Sequence, residues 1–504
     1  MTTEFSADDA SVRAAVGLIT ESASARIVET NQERRVWIDT HDWSLYRAGL
    51  LLEQRARGSE GFLLLSDLSG NPLGRAPAGK RPVTERTLPE GPIRERVGPL
   101  TGIRALLPRL AAEGPAAVLA VLDADEKTVA RIAVDGPFAV DGADGAVTRV
   151  RVEALRGYGK DAQRIEGVLA ATPGLAPAGG SLFVALAGNQ GLTPGVHRSK
   201  PDSRFSAKAP TGEVFADAFR QLLEIEQDNV DGTLRELDTE FLHDLRVAVR
   251  RARSVLKAAD GVVAEPVRAK YSAELKWLGD ATSEPRDLDV QLLDFGAGLA
   301  PADAAAAEPF RLLLHRRCRR SHSALNRALR SARFQALLTG WAQDLARPGK
   351  GGPIATTPVG RVARDLLSRT WLRVGKQGSA ITPESPAESL HDLRKRCKEL
   401  RYLLEFFACL YDSRAHKAIV DELKQLQDNL GEFQDFEAQW FLVRECAAEL
   451  RGTDAPIDTL LTMGLMAHDL RHRQEMARAD FAARWGRFHD KENRARFAAM
   501  VAAR

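Results

Sequence analysis

The residues in this chain best suited to binding chemistry come in two matched sets. Leu242-His-Asp-Leu-Arg246 recurs as Leu390-His-Asp-Leu-Arg394, an offset of 391 − 243 = 148 residues. The same offset pairs Leu275 with Leu423, Asp280 with Asp428, Asp287 with Asp435 and Gln291 with Gln439, as an internal duplication would. Each copy opens a basic run, His243, Arg246, Arg250, Arg253 and His391, Arg394, Lys398, Arg401, at spacings of 0, 3, 7 and 10. On a helix these positions fall within an arc of about 80°. Like charges stacked three and four residues apart repel, so such a stripe costs stability unless an anion lies against it. One stripe alone is usually a solvated face; two in register, each led by His, favour a binding surface. Arg offers paired donors to phosphate oxygens and Lys a point charge. A His among these cations would be protonated more readily once a polyanion is bound. Asp287 and Asp435 read either as acceptors orienting an arginine or as helix N-caps. Asp244 and Asp392 should point to the far side of their helices, toward a neighbour.

The rest of the composition sets limits. At 504 residues, with 44% hydrophobic and 28% charged residues, the chain reads as an ordinary multidomain globular protein. Residues 1–200 hold 24 basic and 24 acidic side chains, and the remainder 47 and 44, so only local charge arrangement can select a partner. Cys318, Cys397, Cys409 and Cys446 form no Cys-x-x-Cys pair, which points to a reducing compartment and no thiol metal site. Met1 to Asp9 is acidic and polar, unlike a signal peptide, and no long apolar run occurs. The expectation is a cytoplasmic protein with no membrane contact.

Periodicity divides the chain. Residues 1–190 read as a mixed domain: a helix over 8–20, strands at 35–40, 50–56, 61–65, 117–123, 128–134, 137–140 and 146–155, helices at 103–112 and 163–170, and a last strand from Ser181 to Ala187. A Pro- and Gly-rich linker at 191–210 follows. Residues 211–504 read as all-α, with repeat 1 at about 211–346 and repeat 2 at about 358–504. Expected helices include 215–228, 237–258, 264–281, 288–295, one long helix over 309–345, then 358–377, 390–410, 415–430, 433–451 and 459–484. About four helices per copy imply two four-helix bundles related by a pseudo-twofold axis.

Two family resemblances attach to these halves. Asp39-Thr40, Leu45, Ala48-Gly49-Leu50 and Arg55 resemble a stretch of the CYTH, or triphosphate tunnel, fold. That fold implies an eight-stranded antiparallel barrel whose inward Arg and Lys hold triphosphate and whose inward Glu hold metal. The family's N-terminal Glu-x-Glu-x-Lys strand has no counterpart in residues 1–30, where Glu21 and Glu29 look isolated, and Phe62 to Asp67 carries no inward base. Only Glu153 stands on a matching strand, so a degenerate barrel without catalytic residues is expected, serving as scaffold. A triphosphate or polyphosphate hydrolase is the alternative. The second half is similar to the CHAD (conserved histidine α-helical domain) family. The likeness rests on His243-x-x-Arg246-x-x-x-Arg250-Arg251-x-Arg253, His391-x-x-Arg394-Lys395-x-x-Lys398-x-x-Arg401-Tyr402 and the following Leu278-Gly279…Asp287-Leu288-Asp289 and Leu430-Gly431…Asp435.

The CHAD resemblance implies inorganic polyphosphate, or another polyanion, as partner, held without catalysis and with no cofactor or metal. It also suggests an association with polyphosphate granules. The candidate binding residues are His243, Arg246, Arg250, Arg251, Arg253, His391, Arg394, Lys395, Lys398, Arg401 and Tyr402, with Arg316, Arg320, Arg327 and Arg471 as additions. Trp277, Trp341, Trp371, Phe406, Phe407 and Trp440 sit at helical core spacing. Only Tyr402 interrupts the stripes with an aromatic ring, which argues against single-stranded nucleic acid, though a nucleic-acid or protein-interaction scaffold stays as a further reading.

Overall fold

A computed structural model describes residues 4–7, 17, 20, 25–58, 60–78, 83–140, 145–296, 299–347 and 351–502 of the chain. It divides into two compact units, Met1–Arg198 and Ser199–Arg504. The expected helix over 8–20 lies almost wholly outside the described residues.

The first unit is a nine-stranded, wholly antiparallel sheet in the order β5-β4-β3-β2-β6-β7-β8-β1-β9. Its strands are β1 (Glu4–Ala7), β2 (Ala25–Asp39), β3 (Leu50–Arg57), β4 (Glu60–Asp67), β5 (Pro72–Pro77), β6 (Leu107–Leu122), β7 (Thr128–Val140), β8 (Val147–Ala154) and β9 (Leu175–Pro177). The sheet curls until its ends approach: a Cβ at Gly70, in the β4–β5 turn, would lie 3.4 Å from Arg151 Nη1 on β8 and 3.8 Å from Glu4 Oε1 on β1. The antiparallel tunnel architecture expected from the CYTH resemblance is therefore present.

The Asp39-Thr40 pair has a structural task. Asp39 accepts backbone N–H bonds from Thr40, Leu45 and Tyr46 at 2.7, 2.9 and 2.9 Å and so pins the short helix α1 (Ser44–Arg47). Among the described residues three further helices cover the unit: α2 (Pro92–Thr101), α3 (Gly159–Ala171) and α4 (Leu182–Asn189). Helix α3 buries Ala162, Ile165 and Leu169 with Val150 and Val152 of β8.

Two expectations fail here for identifiable reasons. Residues 103–112 are no helix; from Leu107 they are the start of β6, whose partner β2 runs alongside from Asp39↔Leu107 to Ala25↔Val121. Tertiary pairing overrides the helical spacing of the leucines and alanines. Ser181 to Ala187 is no strand either: the Ser181 hydroxyl accepts from Val184 N and opens α4, which buries Leu182, Phe183, Leu186 and Ala187 against Trp37, Trp43 and Phe138.

The second unit is all-helical. In order come α5 (Thr211–Leu234), α6 (Thr239–Ala258), α7 (Glu265–Ala281), α8 (Ser283–Leu293), α9 (Pro301–Ala306), α10 (Glu308–Leu329), α11 (Ala332–Asp344), α12 (Val359–Ser379), α13 (Ala387–Phe406), α14 (Ser413–Arg451), α15 (Ile457–Phe488) and α16 (Lys491–Ala502). Helix starts 211, 239 and 265 recur at 359, 387 and 413, each 148 residues on. The entries to the two copies also meet, Pro210 bridging Pro358 and Thr211 N donating to Thr357 O at 3.0 Å. Most buried apolar side chains of both copies, from Val214 to Met500, share one core, and Leu288, Phe310, Val443 and Met463 belong to a second cluster. Phe205, Ala207 and Ala209, in the expected linker, pack against that core.

The copies differ where Pro285 stands opposite Phe433. Proline has no N–H for the carbonyl four residues back, so the helix breaks at Thr282, while α14 continues for 39 residues through Gly431. The expected division of residues 415–451 into two helices is thus incorrect. The single helix expected over 309–345 is also incorrect, because Ser331 caps a new one by accepting from Phe334 N at 3.2 Å.

Candidate functional site

Helices α6 and α13, the two basic helices, flank a groove of about 500 Å³. From the first copy it is lined by Arg250 and Arg253, and from the second by His391, Arg394, Lys395, Lys398 and Tyr402. Lys257, Arg268 and Gln434 also line it, and Lys257 bonds Glu399 across the gap at 2.6 Å. Seven of the eleven expected residues are therefore together. Arg246 lies beside them, donating to Ser283 Oγ and pairing with Asp287 at 3.7 Å. Its counterpart Arg394 donates to Gln434 and pairs with Asp435 at 3.3 Å. Asp287 lies within α8 and Asp435 within α14, so neither is an N-cap; Asp435 accepts from Arg394 at 3.3 Å, while Asp287 is an ion-pair partner of Arg246 at 3.7 Å.

The other expected residues are used elsewhere. Arg251 donates to Ser199 O, and Arg401 bonds Glu405 at 2.7 Å and Gln427 at 3.3 Å. His243 is half-buried and does not line the groove. Asp392 is exposed and pairs with Lys395 on its own helix at 3.2 Å, correcting the expected partner on a neighbouring helix. Arg316, Arg320 and Arg327 line a separate shallow hollow with Arg319. Arg471 stacks over Trp440 at 4.5 Å with Arg444 on the same ring, and Arg333 covers Trp277 at 4.2 Å. Trp440 and Trp277 are half-buried arginine platforms, whereas Trp341, Trp371, Phe406 and Phe407 are core. Arg268 lies outside the stripes, and no short spacing in the sequence marks it.

Crowding of like charges shows in the groove's titration. Burial, then Arg394 and Arg250, push the Lys398 ammonium down to about 7. Burial and Arg250 push Arg246 down to about 10, and burial lowers Arg394. Because Lys398 has a lower pKa folded than unfolded, the folded state bears the full penalty for its charge below pH 7. That penalty fades as pH rises toward the ordinary lysine value. Lys398→Met is expected to raise the thermal midpoint at pH 6, with a smaller gain at pH 9, followed by helical circular dichroism. An equal gain at both pH values contradicts this assignment.

The tunnel of the first unit corrects the reading of its charges. Its lumen, about 440 Å³, is faced by Glu4, Glu29, Glu33, Glu53, Asp135 and Glu153 and by Arg35, Arg55, Arg57, Arg75, Arg131 and Arg151. Glu29 is not isolated: Glu29, Asn31, Glu33, Arg35 and Trp37 alternate along β2 and all line the lumen. Glu153 is one of six lumen carboxylates, and β5 supplies an inward base, Arg75, which stacks on Phe62 at 3.9 Å. Period-two polar alternation was the available signal.

These charges neutralise one another. Arg35 bonds Glu33 at 2.9 Å and also Asp135; Arg55 bonds Glu53 at 2.8 Å; Arg57 bonds Glu33 at 2.5 Å and also Glu29. Arg151 reaches Glu153 at 3.0 Å and Glu4 at 3.5 Å. Burial opposes ionisation of Asp135, yet the Arg35 guanidinium holds its carboxyl down at about 2. A hard divalent cation needs several carboxylate oxygens at one point, and here every lumen carboxylate is bonded to a guanidinium. The set does not fit a metal without displacing those arginines.

The CHAD domain family model matches residues 217–444. Among solved structures the chain is similar to the CHAD domain from the plant Ricinus communis, with 25% identity and a TM-score of 0.45 over 60% of this chain and 96% of that one. It is also similar to PptA from Streptomyces chartreusis, with 21% identity and a TM-score of 0.45 over 55% and 99%. A third is a putative adenylyl cyclase from Hippeastrum described as having a dominant triphosphatase activity, with 15% identity and a TM-score of 0.27 over 39% and 100%. No curated protein matches the sequence. Among the described residues, no helix is long and apolar enough to cross a membrane. The match to the CHAD domain family model falls wholly within the helical unit, Ser199–Arg504.

Proposed function

We propose that the helical unit binds inorganic polyphosphate, without turning it over, in the groove between α6 and α13. The reading rests on one observation: cations from both copies converge on a single groove at a cost to their own charge. A polymer with about one negative charge per phosphate relieves that cost along its length. Arg250, Arg253, Arg268 and Arg394 supply forked donors, Lys395 and Lys398 point charges, and His391 a further N–H. The groove offers one aromatic ring, Tyr402, so it lacks the platforms on which successive bases stack. The tunnel, with six bases balanced by six acids, is read as a scaffold and not as a hydrolase. Cytoplasmic polyphosphate granules are the proposed setting.

Binding through cations that displace counterions must weaken with salt. A plot of log affinity against log salt for the full chain should fall with a slope of about −0.7 per phosphate neutralised, and so about −3 to −5 for four to seven contacts. A slope near zero contradicts a grip made of charges.

A further inference from the structure

A second cluster lies between α8 and α10, made of residue types unlike those of the groove. Asp289 on α8, Cys318 and His322 on α10 bring a carboxylate oxygen, a thiol sulfur and an imidazole nitrogen within 4.8 Å of one another. Cys318 Sγ lies 3.4 Å and His322 Nε2 2.9 Å from Asp289 Oδ1. Cys318 and His322 are four apart on one helix, which stacks them on the same face. The Asp289 side chain is 6% exposed and that of His322 11%. Asp289 Oδ2 is buried with no hydrogen-bond partner, an open acceptor where a cation would sit.

We infer that Asp289, Cys318 and His322 form a binding site for a zinc-class divalent transition metal, with a fourth coordination position left for water. The chemistry selects the ion. Thiolate with imidazole favours zinc and its neighbours over magnesium or calcium, which take oxygen ligands. Ligands at about 2.0–2.3 Å in a tetrahedron stand roughly 3.3–3.7 Å apart; the two separations from Asp289 Oδ1, 3.4 and 2.9 Å, lie near that range. On coordination the Cys318 thiol proton leaves to solvent, and neutral His322 carries its proton on the nitrogen away from the metal. A nucleophilic role suits the cluster less well: burial and the adjacent Asp289 carboxylate push the thiol up to about 12, so the reactive thiolate is suppressed. The site belongs to one copy alone, because the offset of 148 places Glu437, Met466 and Leu470 at the equivalent positions. A search for Cys-x-x-Cys passes over it, since two ligands are spaced Cys-x-x-x-His and the third comes from another helix.

Cobalt(II) serves as the probe on the reduced full chain. One equivalent should bind with a thiolate-to-cobalt charge-transfer band, and zinc should displace it. Cys318→Ser should lose the band, and Asp289→Asn or His322→Gln should weaken binding at least 10–100-fold, the loss typical even of outer-shell partners. Cys409→Ser, at an exposed cysteine, should keep the band. Absence of the band in the parent, or its survival in Cys318→Ser, overturns the site. A measurement independent of variant folding is native mass spectrometry of the reduced parent chain: one zinc should be retained per chain, and none retained overturns the proposal.

Discussion

Arg35→Ala should destabilise the first unit by about 3–5 kcal/mol at pH 7, the cost of breaking a buried ion pair by removing one partner. Arg35 is 3% exposed and lies between Glu33, fully buried, and Asp135, 11% exposed. Removing the guanidinium leaves Asp135 with no counter-ion at hydrogen-bonding distance, while Glu33 keeps Arg57. The pH dependence carries a sign. Asp135 has a folded pKa held down at about 2, so its stabilising contribution is complete above the ordinary carboxyl range and is lost as pH falls through about 2. In the variant the unpaired acid titrates upward and is protonated in mild acid, so the deficit should shrink between pH 7 and pH 4. Hydrogen-exchange mass spectrometry on peptides from β2 and β7 measures it, and unchanged protection in the variant contradicts the ion pair's role.

The second large effect concerns the groove. Arg250, Arg394 and Lys398 come from both copies, and each would make charge-assisted contacts worth about 1.5–3 kcal/mol to a bound anion. Replacing all three with Ala should therefore lower polyphosphate affinity about a thousandfold or more. The helices should survive, because these side chains lie outside the shared core and two of them, Arg394 and Lys398, are held at depressed pKa values by burial and by the neighbouring Arg250. Loss of mutual repulsion offsets part of the lost packing of their aliphatic stems.

How much of this was legible in the sequence depended on period and range. The second unit was readable because a constant offset aligned His243 with His391 and Arg246 with Arg394, and helix starts follow the same offset. Breaks inside helices were less readable: Pro285 ends one helix, while Gly431, which also looks like a breaker, stays inside α14. The groove's membership needed the fold. Spacing put Arg401 on the stripe, but Glu405 one turn along and Gln427 on another helix claim it, and spacing could not bring in Arg268. In the tunnel no Glu-x-Glu-x-Lys run stands for the broader alternation of Glu29, Asn31, Glu33 and Arg35, and Glu53 and Asp135 join it only through neighbouring strands. Their pairing across β2, β3 and β7 is a long-range fact that no local window contains.

The most direct measurement is equilibrium binding of long-chain inorganic polyphosphate to the full chain at ~0.15 M salt, compared with the variant carrying Arg250→Ala, Arg394→Ala and Lys398→Ala together. Circular dichroism should confirm the variant's helices. The expected result is saturable binding by the parent and a loss of about a thousandfold in a folded variant. A folded variant that binds as tightly as the parent would contradict the groove as the polyphosphate site.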